Sequence, residues 1–457
     1  MYVKNLRQLS GQAVNPVSRR LRAAALQAYN SAICAVAPAR LMRSELSLCN
    51  HILAIGDSRF DISAGRVFVI GGGKASAAMA AALEDLLGEK LAGGSVNIPP
   101  ETVGSTRLVV LNRSGHPIPD QAGVEGSRRI IELAERAGAD DLVVCLVSGG
   151  GSSLMPLPGH GVSLADKQQL TFMLLRTGAS IGEMNAVRKH LSGIKGGWLA
   201  RRAFPARLIN LILSDVIGDP LDVIASGPTV PDPTTFADAM EILQRYEIWH
   251  DSPETVRKLL TDGSRGLVEE TPKPGDAVFE RVSNHVIGNN FTALAAAGES
   301  LADAGFRVEM IRDQWQGDAR ELARNLAARA LAATRSNVPV ALVFGGEATV
   351  RVTGTGRGGR NQHAALAAVR DLAGYDNLLL AMLATDGIDG PTDACGALVD
   401  GSTLARAHKM GMTPEAFLQN NDSYSFFNAL GELMHTGYTG SNVNDIYLIL
   451  SAGSSAF

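Results

Sequence analysis

The sequence predicts an α/β protein: an open parallel sheet in an N-terminal domain, followed by a second α/β domain. Three observations carry that expectation. Short apolar runs recur, each ending in a loop of Gly, Ser or Asp and leading into an Ala- and Leu-rich stretch, which is the strand–loop–helix alternation of a parallel sheet. The apolar load is aliphatic: hydrophobic residues make up 46% of the 457 residues and aromatics 5%, a balance that suits helices packed on a buried sheet. Glycine is in excess, with 49 residues, about 11% against an average near 7%, and the excess gathers at the ends of the apolar runs.

Taken in order, residues 1–18 read as a loose arm, and an Ala/Leu-rich helix runs from Ser18 to about Val36. Arg66–Ile70 (RVFVI) leads into Gly71-Gly72-Gly73-Lys74 and a helix. Leu108–Leu111 ends near His116-Pro117. Asp141–Val147 (DLVVCLV) leads into Ser148, Gly149, Gly150, Gly151, Ser152 and Ser153. Leu208–Leu213 (LINLIL) leads into Ser214-Asp215-Val216-Ile217-Gly218-Asp219. Residues 262–280, rich in Gly, Pro and charge, are the expected connection between domains. Beyond them, His285–Ile287 opens a helix after Gly288-Asn289-Asn290, and a strand follows near Arg307–Ile311. Val340–Phe344 and Thr349–Val352 read as two strands around Gly345-Gly346-Glu347. Leu378–Leu383 ends in Thr385-Asp386-Gly387-Ile388-Asp389, and Asp445–Leu450 is the last strand. The expected domains are residues 18–262 and 280–457.

Composition excludes several classes. A formal net charge of −4 suggests neither a nucleic-acid nor a membrane partner. The four cysteines, Cys34, Cys49, Cys145 and Cys395, are far apart and form no CxxC pair, so a reducing compartment fits. Cys145 lies in an apolar run and reads as core. Arg7, Arg19, Arg20 and Arg22 interrupt the N-terminus, against a signal peptide. No run approaches the ~18 apolar residues of a membrane span. The expected location is cytoplasmic.

Ligands of open parallel sheets bind outside the carboxyl ends of the strands, so the loops after the apolar runs point to one site. At Gly71–Lys74, glycine permits close backbone approach and the helix N-terminus presents N–H groups to an anion. Lys74 opposes the helix dipole there, a cost an anionic ligand would remove; the alternative is a tight turn with a solvated lysine. The Walker A pattern fails, because Phe68 stands five residues before Gly73 and Ala75 follows the lysine. Three glycines between hydroxyls at Ser148–Ser153 can form a nest for a phosphate, or simply a flexible turn; G-x-S-x-G is not present. Asp215 with Asp219, and Asp386 with Asp389 and Asp393, follow apolar strands. Mg²⁺ takes a few such carboxylates plus phosphates and water, although capping and turn roles suit single aspartates equally. Gly354–Gly359 (GTGRGG) matches the dinucleotide pattern G-x-G-x-x-G. Its preceding run alternates through Arg351 like a half-exposed strand, and the next strand-end acid, Asp386, comes later than the usual ~20 residues. Arg357 and Arg360 instead offer forks for phosphate or carboxylate. The histidines form no HExxH or Cys/His cluster.

Together these segments resemble the class II glycerate kinases, the glycerate 2-kinase family with a C-terminal MOFRL domain. The matching stretches are GGGKAS (71–76), SGGGSSL (148–154), LSGIKGG (191–197), SDVIGDPLDVIASGPTVPD (214–232), GGEATV (345–350), GRGGRNQ (356–362), ATDGIDGPTDA (384–394) and NDSYSFF (421–427). They cover roughly residues 20–450 in order. The resemblance implies a Rossmann-like N-terminal domain, a MOFRL-type C-terminal domain and a site in the cleft between them. It implies transfer of the ATP γ-phosphate to the 2-hydroxyl of D-glycerate with a divalent metal. Lys74 and Arg360 would then be the central catalytic cations. Gly72, Gly73, Ser148, Gly149, Gly150, Gly151, Ser152, Ser153, Lys195 and Glu347 would bind ATP. Asp386, Asp219 and Asp389 are the candidate Mg²⁺ ligands, and Asp215, with Asp386 as an alternative, would orient or deprotonate the hydroxyl. The expected partners are D-glycerate and ATP, with a homodimer left open. Two positions depart from the family pattern: His363 stands where Glu is usual, and TGYTGSN (436–442) replaces TGPTGTN. Some relatives carry the label hydroxypyruvate reductase, so an NAD(P)H enzyme is the competing expectation, and a silent phosphometabolite-binding protein a third.

Overall fold

A computed structural model describes residues 1–453 of the chain. The chain divides into two compact units, Pro38–Ile287, and Met1–Ala37 together with the residues from Gly288 onward.

The unit Pro38–Ile287 opens with an antiparallel meander of β1 (Leu46–Cys49), β2 (Ile52–Ile55) and β3 (Ser58–Asp61). Its main sheet comprises β4 (Val67–Gly72), β5 (Leu91–Ile98), β6 (Val109–Arg113), β7 (Leu142–Ser148), β8 (Arg207–Leu213) and β9 (Val282–Gly288). The spatial order is β6-β5-β4-β7-β8-β9, and the first five strands in that order run parallel. Counted along the chain this is 3-2-1-4-5-6, the doubly wound order that reverses between its first and fourth strands and binds ligands there. Every residue of β7 is buried, as a continuous apolar run covered on both faces should be. Phe68, Ile70, Val143, Cys145 and Ile212 of the strands pack with Ile130 and Leu199 of flanking helices. Burial pushes the Cys145 thiol up to about 12, so it is an inert core residue.

A separate group of helices, Leu164–Thr177, Ile181–His190, Phe236–Arg245 and Glu254–Ser264, encloses Leu170, Leu174, Val187, Leu243 and Leu260. Three of them start in capping boxes, Ser163 with Asp166, Ser180 with Glu183 and Thr235 with Asp238, so their first N–H groups are satisfied locally. The expected linker at 262–280 is not a boundary. The Thr271 hydroxyl donates to buried Asp232 at 3.1 Å, and β9 then joins the sheet beside β8. Gly, Pro and charge there mark a surface loop on the way to one more strand.

In the other unit, helix Pro16–Ala35 packs on helix Asn290–Asp303. By its contacts this helix belongs with the residues from Gly288 onward. Arg22 is fully buried and donates to Asp400 at 2.6 Å and to Glu432 at 2.7 Å, and a buried cation is tolerable only with such partners. Nor are residues 1–18 a loose arm: Leu9 is buried in helix Leu6–Gly11, and Asn5 Nδ2 donates to Leu433 O at 2.8 Å. The sheet holds β10 (Arg307–Met310), β11 (Trp315–Asp318), β12 (Val340–Thr349), β13 (Leu378–Ala384), β14 (Gly396–Asp400), β15 (Leu433–Met434) and β16 (Asp445–Ser451). The order is β10-β12-β16-β13-β14-β15, with β11 also on β12. Only the β10 and β11 pairings are parallel; the rest of the ladder is antiparallel. The first strand expected around Gly345–Glu347 continues to Thr349 as β12, and residues 350–352 of the second lie outside any strand. Gly346, at φ +157°, fits because a side chain there would meet Trp315 O at 2.3 Å. Among the described residues no helix is long and apolar enough to cross a membrane.

Candidate active site

In the unit Pro38–Ile287 the reversal of strand order lies between β4 and β7, and the two Gly-rich loops leave the sheet at that point. They are stitched through backbone. Gly73 N donates to Asn97 O (3.1 Å), Lys74 N to Gly149 O (2.9 Å) and Ala75 N to Ser148 Oγ (3.0 Å). Part of the glycine content serves this approach, since a Cβ on Gly73 would fall 2.1 Å from Ser148 Oγ and one on Gly151 2.9 Å from Gly72 O. Gly150 adopts φ +81° as the N-cap of the turn Gly151–Leu154, and its α-carbon faces the His116 ring. Burial and the charge of Lys74 both hold the His116 imidazole below its ordinary value, so it is neutral at pH 7.

Beside these loops a pocket of about 480 Å³ opens. Its polar end is built on Ser152. Lys195 Nζ donates to Ser152 O at 2.7 Å and to Ser152 Oγ at 3.2 Å, and Arg188 donates to the same Oγ. Ser152 Oγ also meets Ser226 Oγ at 3.0 Å, and Ser226 donates to Asn185 Oδ1 at 3.0 Å. Lys167 lines the same pocket and donates to Leu191 O at 3.2 Å. Among the described residues no carboxylate forms an ion pair with Lys167, Arg188 or Lys195. Burial pushes the Lys167 ammonium down to about 7, with Arg188 adding repulsion. Lys195 is lowered well below its ordinary value by burial and by both neighbours. Three basic groups crowded into a buried wall disfavour one another's charge, and an arriving anion would favour the charged forms by offsetting the repulsion and the desolvation cost. The Ser226 hydroxyl is held in place by a constrained segment: Asp219, Ala225 and Ser226 all have positive φ, at 53°, 51° and 61°. Such backbone costs ~1–3 kcal/mol per residue and gathers at functional sites.

A second polar cluster forms in the other unit through sheet register. Asp445, the first residue of β16, pairs with Gly346 of β12 on one side and Ala384 of β13 on the other. Arg360 opens helix Arg360–Ala368. Its guanidinium donates to Asp445 at 2.7 and 3.2 Å and to Glu347 at 2.7 Å. Burial pushes Asp445 up to about 6 even against Arg360. Asp389, also buried, accepts from Asn361 N (3.1 Å) and Gln362 N (2.8 Å), so it caps the helix whose own N-cap is Gly359. Asp386 is half-buried on the turn after β13, and its Oδ1 accepts from Ile388 N at 3.0 Å.

Residues 24–261 match the family described as a domain of unknown function, DUF4147, and residues 340–445 match the MOFRL family. The D-glycerate 2-kinase of Thermotoga maritima is 42% identical over 84% of this chain and 90% of its own length. A protein of Agrobacterium vitis named putative hydroxypyruvate reductase is 44% identical over 84% of this chain and 87% of its own. The crystal structure of the Thermotoga maritima glycerate kinase superposes with a TM-score of 0.84 at 39% identity, covering 94% of this chain and 99% of that one. The chain belongs to the glycerate 2-kinase family with a C-terminal MOFRL domain.

Of the residues this glycerate 2-kinase pattern marked, Lys74, Gly72, Gly73, Ser148, Gly149, Gly150, Gly151, Ser152, Ser153 and Lys195 lie together on the β4 and β7 loops and the wall beside them. Asp215 and Asp219 sit half-buried on the turn after β8. Glu347 and Arg360 are joined to each other. Asp389 is buried, and its two oxygens accept from the N–H groups of Asn361 and Gln362, a helix-capping geometry. Among the described residues no group of three or more His, Cys, Asp or Glu is placed to hold a metal ion. The Gly354–Gly359 match is a structural loop. The N–H groups of Gly354, Thr355, Gly356 and Arg357 are taken by Asn420, Asn421 and Asp422, so they are not presented to a pyrophosphate. Of the two departures, His363 is buried and accepts from Arg320 Nε at 3.2 Å. In the second, Thr439 donates to Thr385 O and, through its N–H, to Asp386 O, so residues 436–442 shape the Asp386 turn. Lys167, Arg188, Asn185, Ser226 and Asp445 were not anticipated. The adjoining motif LSGIKGG was the available signal for Arg188, which stands three residues before it.

Proposed function

We propose that this enzyme transfers the γ-phosphoryl group of ATP to the 2-hydroxyl of D-glycerate, giving 2-phosphoglycerate and ADP. The observation that carries the reading is a wall of three basic side chains, with Arg188 and Lys195 on Ser152 and Lys167 beside them, none in an ion pair with a carboxylate among the described residues. Both substrates are anions, and phosphoryl transfer is catalysed by positioning and charge neutralisation. In this reading the Ser152 group holds phosphate oxygens. Lys74 neutralises the transferring group, and Arg360, which the family resemblance marks as a catalytic cation, is oriented by Asp445 and by the helix that Asp389 caps. Asp215 accepts the proton of the 2-hydroxyl as its oxygen bonds the γ-phosphorus and the bond to the ADP oxygen breaks. Asp219 and Asp386 each retain the exposure to take a divalent ion, and such an ion, when bound, would offset phosphate charge. A soluble cytoplasmic setting suits this chemistry.

The reductase reading has a named relative behind it but no nucleotide-binding turn at Gly354–Gly359. Calorimetric titration separates the two. Binding of ATP or ADP with Mg²⁺, and no heat from NADH or NADPH, is the expected result. NADH binding without a response to ATP overturns the kinase reading.

A further inference from the structure

Only one end of the pocket is charged. Pro117, Ile118, Pro156, Leu164, Phe172 and Met184 line the rest. Ile118 and Phe172 are 70% and 61% exposed, an arrangement a soluble protein does not keep beside a polar site without use. Glycerate, a three-carbon acid with an oxygen on every carbon, has no surface for such a wall. The volume of about 480 Å³ also lies in the range of pockets that enclose much larger ligands.

We propose that this pocket takes ATP whole, with its adenine against Pro117, Ile118 and Phe172 and its phosphates running to Ser152, Arg188, Lys195 and Lys167. Lys167 and Arg188 are then nucleotide-binding residues, and base recognition resides in helix Leu164–Thr177 and the segment around Ile118. This rests on the kinase reading for the identity of the nucleotide, while the size, apolar flank and cationic end of the pocket come from the structure itself. Glycerate is left to other groups, so the two substrates should be separable by mutation.

The test fills the apolar end without touching a cation. Thr171 lines the pocket, is half-buried, and its hydroxyl bonds only its own helix at Lys167 O. Thr171→Trp should raise the KM for ATP and weaken calorimetric ATP binding by about 10-fold or more, the scale of losing one base-stacking contact, with the KM for glycerate within about 2-fold of wild type. Inhibition by inorganic tripolyphosphate should be unchanged in Thr171→Trp and lost in Arg188→Ala. Phe172→Ala, at an exposed position, gives a second reading if the tryptophan disturbs folding by circular dichroism. Unchanged ATP affinity in both variants, or a rise in the glycerate KM instead, overturns the assignment. Weakened ATP binding in a protein that phosphorylates no glycerate upholds the pocket and sinks the kinase reading. Wild-type glycerate phosphorylation with unaltered ATP binding in the variants does the reverse.

Discussion

Lys74→Ala should lower kcat by ~10³-fold, the scale seen when a cation neutralising a transferring phosphoryl group is removed, and should leave the circular dichroism spectrum unchanged. What ties this loop to its neighbour is the Lys74 backbone N–H, which donates to Gly149 O whatever residue stands there. A cation next to a helix N-terminus also opposes the dipole, so its removal carries little stability cost. If Lys74 instead holds the glycerate carboxylate, KM for glycerate rises and kcat stays near wild type. A variant with both constants unchanged makes Lys74 a turn residue and removes it from the mechanism.

Arg360→Ala should lose activity and stability together, which distinguishes it from Lys74→Ala. Arg360 is more than a cation at a helix start, because the structure places buried Asp445 against it. Removing one partner of a buried pair typically costs ~3 kcal/mol or more. The loss should depend on pH. Asp445 already sits at about 6 because burial opposes its charge, and without Arg360 it rises further. A carboxylate raised above its unfolded value contributes stability at low pH that is lost as pH climbs through the folded value. The gap between wild type and variant in urea unfolding should therefore be wider at pH 8 than at pH 5. An equal gap at both would mean that Asp445 is compensated by something other than Arg360. Arg360→Met with Asp445→Leu should recover much of the stability but none of the turnover, since a buried pair can be replaced by apolar groups while its chemistry cannot.

The parallel sheet was legible because β4, β7 and β8 are continuous aliphatic runs with Gly, Ser or Asp at their carboxyl ends, and burial on both faces leaves that imprint on sequence. The antiparallel ladder of the other unit was not, because Asp445–Ser451 and Leu378–Ala384 are equally apolar and direction does not show in composition. The burial of Arg22 was not legible for a related reason: only Asp400 and Glu432, far along the chain, make it a buried residue. At the site, residues whose role depends on local backbone were visible, as with Gly73 and Gly150. Residues whose role depends on partners were not. Asp389, a candidate ligand by sequence, caps a helix, while nothing in the sequence around Lys167 or Arg188 showed that they line the pocket beside Ser152.

The most direct test is phosphorus NMR of the product after incubation of the protein with ATP, Mg²⁺ and D-glycerate. A 2-phosphoglycerate resonance growing with ADP is the predicted result. A 3-phosphoglycerate resonance would contradict the position of transfer, and ATP left intact beside unmodified glycerate would contradict the kinase assignment itself.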